Sequence, residues 1–149
     1  MAKHDACKIV FPSLGITCRA EKISGVNEEV FDWFVDCMPI PEVVWSHAMV
    51  SGGLTYAMNL RMKYDLPCNL ESLEKGWLHE IPDGYFTLFL SNGKAGQFMM
   101  KYTDITENMA YPIVGRVIEE DLPKLREAAK ALWDADYLTK DPVTIAFEA

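Results

Sequence analysis

The stretch Cys7-Lys8-Ile9-Val10-Phe11-Pro12-Ser13-Leu14-Gly15-Ile16-Thr17-Cys18-Arg19-Ala20 sets the fold class. Residues 7–11 read as a strand, because β-branched and aromatic side chains fit a pleated surface. Pro12 to Gly15 supply turn chemistry. Ile16, Cys18 and Ala20 then alternate with Thr17, Arg19 and Glu21, the period-2 pattern of a strand with one buried face. The chain opens on a hairpin.

Working outward, Ser24-Gly25 breaks the strand pattern, and the spacing changes. Val26, Val30, Phe31, Phe34, Cys37 and Met38 fall at helical intervals, with Asn27, Glu28 and Glu29 as cap and acidic first turn. Pro39 and Pro41 end that helix. Residues 42–50 read as a strand closed by Ser51-Gly52-Gly53. Tyr56, Met58, Leu60 and Met62 follow on one strand face, with Thr55, Ala57, Asn59 and Arg61 on the other. Residues 63–75 form a polar excursion with one helical turn near 70–75. Pro82-Asp83-Gly84 marks a turn. Strands are expected at 85–90, 97–102 and 113–118, separated by Asn92-Gly93 and by 103–111. Leu122, Leu125, Ala129, Leu132 and Trp133 form the stripe of a last helix, with Pro123 in its first turn and Glu119, Glu120 and Asp121 before it. Residues 143–147 close the chain as a strand. Many short strands with two helices predict a mainly β, α+β protein: a closed β-barrel capped by helices.

Composition supports one domain over residues 1–149, since half the residues are hydrophobic and a chain of this length buries a sufficient core. Asp and Glu number 22 against 14 Lys and Arg, a net charge of −8, which disfavours nucleic acid as a partner. The first residues lack an apolar signal core, and no run reaches the ~18 apolar residues of a membrane span. The four cysteines, Cys7, Cys18, Cys37 and Cys68, have no metal-ligand spacing and read as reduced core thiols. A cytoplasmic protein is expected, with self-association left open.

The order of elements resembles the cyclophilin fold, and two strings carry the resemblance. Gly93-Lys94-Ala95-Gly96-Gln97-Phe98-Met99-Met100 resembles the cyclophilin G-x-x-G-S-Q-F-F-I strand, and Val114-Gly115-Arg116-Val117-Ile118-Glu119 resembles its F-G-K-V-x-x-G segment. A prolyl isomerase of that family carries F-H-R on its active strand. Val44-Trp45-Ser46-His47-Ala48 puts Ala48 where the Arg would fall, which argues against prolyl isomerisation. The string His47-Ala48-Met49-Val50-Ser51-Gly52 is similar instead to the H-A-x-x-S-G of small bacterial cyclophilin-like proteins, a group related to the cyclophilin-like domain of cucumopine synthase. That resemblance implies condensation of an amino acid such as histidine with a 2-oxo acid, and a Pictet–Spengler-type ring closure without a nucleotide cofactor.

His47 is the leading candidate catalytic residue. Side chains two apart on a strand share a face, so Trp45, His47, Met49 and Ser51 are expected together. An imidazole beside a hydroxyl can carry the proton that ring closure must move. The competing assignment is a hydrogen-bonded barrel histidine with Ser51 opening a glycine turn. A Ser–His hydrolase lacks the G-x-S-x-G elbow, and no metal-ligand spacing links His4, His47 and His79. Arg61, Lys101 and Arg116 lie in expected strands and are candidates for holding a substrate carboxylate. Gln97 is a candidate polar group, and Trp45, Tyr56, Tyr85, Phe98 and Tyr102 are candidate walls. No metal or cofactor is expected. A non-catalytic barrel that binds a metabolite or peptide is the alternative.

Overall fold

A computed structural model describes residues 4–48, 52–90, 95–106 and 109–149. The opening hairpin forms as read. Strand β1 (Ala6–Phe11) pairs antiparallel with β2 (Ile16–Glu21), with Cys7, Ile9, Phe11, Cys18 and Ala20 buried. Gly15 takes the left-handed conformation (φ 65°) that the tight connection needs. Helix α1 (Glu28–Asp36) and strands β3 (Ile40–His47) and β4 (Leu54–Arg61) follow. The long excursion carries a 3₁₀ turn at Leu70–Ser72 and a short strand β5 (Lys75–Trp77). Strands β6 (Tyr85–Leu90), β7 (Ala95–Lys101) and β8 (Ala110–Val117) precede helix α2 (Leu122–Asp134) and the final strand β9 (Val143–Glu148).

The strands lie in the order β2-β1-β9-β3-β4-β7-β6-β8, and a β2–β8 pairing returns the sheet to its start. This is a closed eight-stranded antiparallel barrel. It closes through a short seam, Ala20 opposite Val117 and Glu21 opposite Arg116. β5 sits outside the circuit, on the first half of β8. Inside, Phe34 of α1 packs on Phe86, Phe98 and Phe147 with ring centroids 6.1, 6.3 and 5.3 Å away. Each fully buried side chain of this size contributes about 1.5–3 kcal/mol. α2 adds Leu125, Ala128, Ala129 and Leu132 to the same core. A second cluster, including Leu54, Leu78, Ile81, Met99 and Ile113, lies under the excursion and β5. The Cys7 and Cys18 thiols are pushed up to about 12 by burial, so they are core groups and not nucleophiles.

Several local expectations are corrected. Asn27 stands before α1 but makes no side-chain cap bond. Its φ of 46° turns the amide away, and that amide binds the Glu74 and Ile113 carbonyls and the Glu74 N–H. Pro41 sits inside β3, at a register irregularity between Ile40 and Val43 that removes the need for its missing N–H. The face expected for Tyr56, Met58, Leu60 and Met62 is split. A register shift between Ala57 and Leu60, with Asn59 at φ 62°, leaves Ala57 and Leu60 buried and Met58 exposed. Asp121, read only as one of three acidic groups before α2, is buried on Arg19.

Candidate functional site

His47 ends β3 and shares the inner face with Trp45, as period 2 requires. It is 2% exposed. Its backbone N–H donates to Asp136 Oδ2 at 2.9 Å, while Ala48 N–H donates to the Leu54 carbonyl at 2.9 Å. The strand end is therefore fixed on both sides. Nδ1 lies 2.9 Å from the Ala48 carbonyl and Nε2 lies 2.6 Å from the Tyr102 hydroxyl. A carbonyl only accepts, so Nδ1 carries a proton. Neutral His47 then accepts the Tyr102 O–H at Nε2. Protonated His47 donates there, and the Tyr102 proton turns to the Gly52 carbonyl, 3.1 Å away. The pair has a satisfied arrangement for the proton in either state. Burial pushes the Tyr102 phenol up, so it remains an O–H donor near neutrality.

Helix α2 supplies the rest of the surroundings. The Trp133 ring meets His47 nearly edge-on, with centroids 4.8 Å apart, and Tyr137 packs on Trp133 at 4.1 Å. α2 runs on into a π-helical turn at Ala135–Thr139, and this wider turn brings Asp136 and Tyr137 to the end of β3. Trp133 stays 41% exposed, leaving an aromatic surface beside the imidazole. The Tyr137 hydroxyl is buried without a hydrogen-bond partner among the described residues. Burial first, then Asp136 and Tyr56, push its phenol up. Trp133 was legible only as a core position of the α2 stripe. Asp136 and Tyr137 carried no signal, because a π-turn has no sequence signature comparable to a cap.

Of the residues expected here, Tyr102 joins His47 directly, and Tyr56 is half-buried within electrostatic reach of Tyr137. Ser51, Met49 and the Asn92-Gly93 turn lie outside the described residues. Trp45 is not a wall of the site: its ring is fully buried and packs on Phe11 at 4.3 Å. Phe98 is likewise core. Gln97 pairs with Phe89 and lies on the opposite face of β7 from Phe98 and Met100. None of the three strand cations reaches His47 through a described contact. Arg61 is exposed at the far end of β4, opposite Ala95. Lys101 is buried and donates to the Ile81 and His79 carbonyls at 2.7 and 3.4 Å, which fixes that loop. Arg116 is held 2.8 Å from Glu21 and, with Tyr85, lines a separate open cleft. Among the described residues no group of three His, Cys, Asp or Glu is placed to hold a metal, and no helix is long and apolar enough to cross a membrane.

No protein-family model matches the chain, and no curated protein matches it. Among solved structures it is similar to McbB, whose structure was determined in complex with tryptophan. The TM-score is 0.77 at 28% identity, over 95% of this chain and 44% of the McbB chain. The chain thus spans less than half the length of that neighbour.

Proposed function

We propose that this chain is a single cyclophilin-like domain that condenses an amino acid with a 2-oxo acid and closes a ring, with His47 as general acid/base. The observation that carries the proposal is the His47–Tyr102 pair, a buried imidazole bonded to a half-buried phenol beside the open indole of Trp133. The likeness to a tryptophan-bound structure supports an amino acid as one reactant. The amine adds to the oxo carbon, protonated His47 gives its proton to the hydroxyl so formed, and water leaves as the iminium C=N bond forms. A nucleophilic ring carbon of the amino acid then attacks the iminium carbon, forming the new C–C bond. The ring proton passes to His47 Nε2, and the Tyr102 hydroxyl turns to Gly52. The products are one cyclic amino acid and one water. Every step is polar and redox-neutral, so the chemistry calls for no nucleotide.

The test is incubation of the purified chain with tryptophan or histidine and pyruvate, read by mass spectrometry for the combined mass less one water. His47→Ala should lower the rate at least 100-fold, the ordinary contribution of a positioned acid/base. Near-full activity in that variant would sink the assignment. The almost complete burial of His47 favours one second reading, a barrel that binds a metabolite without converting it. Saturable binding and thermal stabilisation with no turnover would assign the chain to that class.

A further inference from the structure

Away from His47, the outside of the barrel carries an open cleft of about 460 Å³ between the start of α2 and the adjoining ends of β6 and β8. Its volume is that of a small-metabolite site. Two guanidiniums line it, Arg116 from β8 and Arg126 from α2, with Asp83, Glu119 and Glu120 as further charges. Pro82 and Leu122 add aliphatic surface.

The two arginines are held differently. Arg116 sits on Glu21 at 2.8 Å, the length of a close charge-assisted bond. Arg126 donates from Nε to the Tyr102 carbonyl at 3.3 Å and from Nη2 to Asp83 at 3.1 Å, both longer than the ~2.7–2.9 Å of such a bond. Its side chain is 47% exposed. A guanidinium offers more N–H donors than these two contacts use, in a fork that matches a carboxylate. Carboxylates nonetheless outnumber guanidiniums around the cleft, so a simple anion meets net repulsion. A bare amine, in turn, leaves the donors of Arg126 unanswered. A zwitterion satisfies both signs.

We infer that the cleft binds a free α-amino acid with an aliphatic side chain: its carboxylate on Arg126, its ammonium on the acidic rim, its side chain on Pro82 and Leu122. The site is separate from His47 and does not rest on the reaction proposed above. It is coupled to that centre through the main chain. Arg126 holds the Tyr102 carbonyl, and Gly84, next to Asp83, donates its N–H to the Lys101 carbonyl at 2.6 Å. A ligand carboxylate that draws Arg126 from Tyr102 acts on the segment that sets the Tyr102 hydroxyl against His47.

Isothermal titration of the full chain with L-leucine tests the site, beside 3-methylbutylamine, which lacks the carboxylate, and 4-methylpentanoate, which lacks the amine. L-leucine should bind saturably and each analogue at least tenfold more weakly. Arg126→Gln should lose at least tenfold in leucine affinity, Arg126→Lys should fall between, and His47→Ala should bind as the wild type does. An unchanged thermal melt of the exposed-site variants separates lost binding from lost fold. In the wild type, the imidazole NMR signals of His47 should move as leucine saturates, and in Arg126→Gln they should not. No leucine binding, equal binding of the amine analogue, or undiminished binding by Arg126→Gln overturns the site. Binding that leaves the His47 signals still overturns the coupling.

Discussion

At the scale of single residues, the Tyr137 hydroxyl stands out because it is buried and unpaired among the described residues. An unsatisfied buried donor costs about 1–3 kcal/mol, a cost that disappears with the group itself. Tyr137→Phe keeps the ring on Trp133 and removes only the hydroxyl, so it should raise unfolding free energy by about 1 kcal/mol, read from urea melts. A clear loss of stability would mean that the hydroxyl has a partner after all. The contrast with His47 shows what a sequence can carry at this scale. His47 and Tyr102 were legible, because strand periodicity and local strings point at single positions. Trp133 and Asp136 reach His47 only through the tertiary path of α2, and no periodicity in the chain reports where a helix end will lie. The positions of the strand cations relative to His47 were not legible for a related reason. Arg61, Lys101 and Arg116 are on strands, as expected, but a strand face says nothing about which end of the barrel a charge will reach.

At the scale of elements, the bulge in β4 decides which side chains enter the barrel. One irregularity reverses the alternation, so Met58 faces solvent while Leu60 returns to the core. Asn59 bears the cost at φ 62°, a conformation that Asn tolerates and a β-branched residue does not. Asn59→Val should therefore destabilise by roughly 1–3 kcal/mol, while Asn59→Gly should be close to neutral, both measured by thermal unfolding. Equal melts for the two variants would show that the bulge is not held by this residue. The hairpin, β6, β9 and both helices were readable because each has a consistent period and strong punctuation. β5 was not, since three residues, Lys75-Gly76-Trp77, are too few to establish a period.

At the scale of the whole molecule, the acidic surplus hides a buried charge that the fold depends on. The Asp121 carboxylate takes the Arg19 backbone N–H at 2.8 Å and its guanidinium at 3.0 and 3.1 Å, joining the start of α2 to β2. Hydrogen bonding from Arg19 outweighs burial and lowers its pKa from 3.8 to about 2. A depressed carboxylate stabilises the fold above its unfolded value, and that contribution is lost as pH falls from about 4 to about 2. The loss should be on the order of 1–2 kcal/mol, because the Arg19 partner is solvent-facing and screened. Asp121→Asn should flatten this part of the acid-unfolding curve; an identical curve would remove the pair from the account. The net charge of −8 reads from composition, but the pairing of Asp121 with a residue 102 positions earlier does not.

The seam between β2 and β8 has a kinetic meaning. Every other junction in the circuit is a longer ladder, whereas this one rests on two residue pairs. A closed barrel opens by parting its shortest ladder first, so the amide hydrogens that face across the seam, at Glu21 and Arg116, should exchange faster than those along β4 and β7. The amino-acid cleft is lined by Glu21, Arg116 and Val117, from both sides of that junction. An occupant there would act as a rivet, slowing exchange at the seam and with it the breathing of the whole ring.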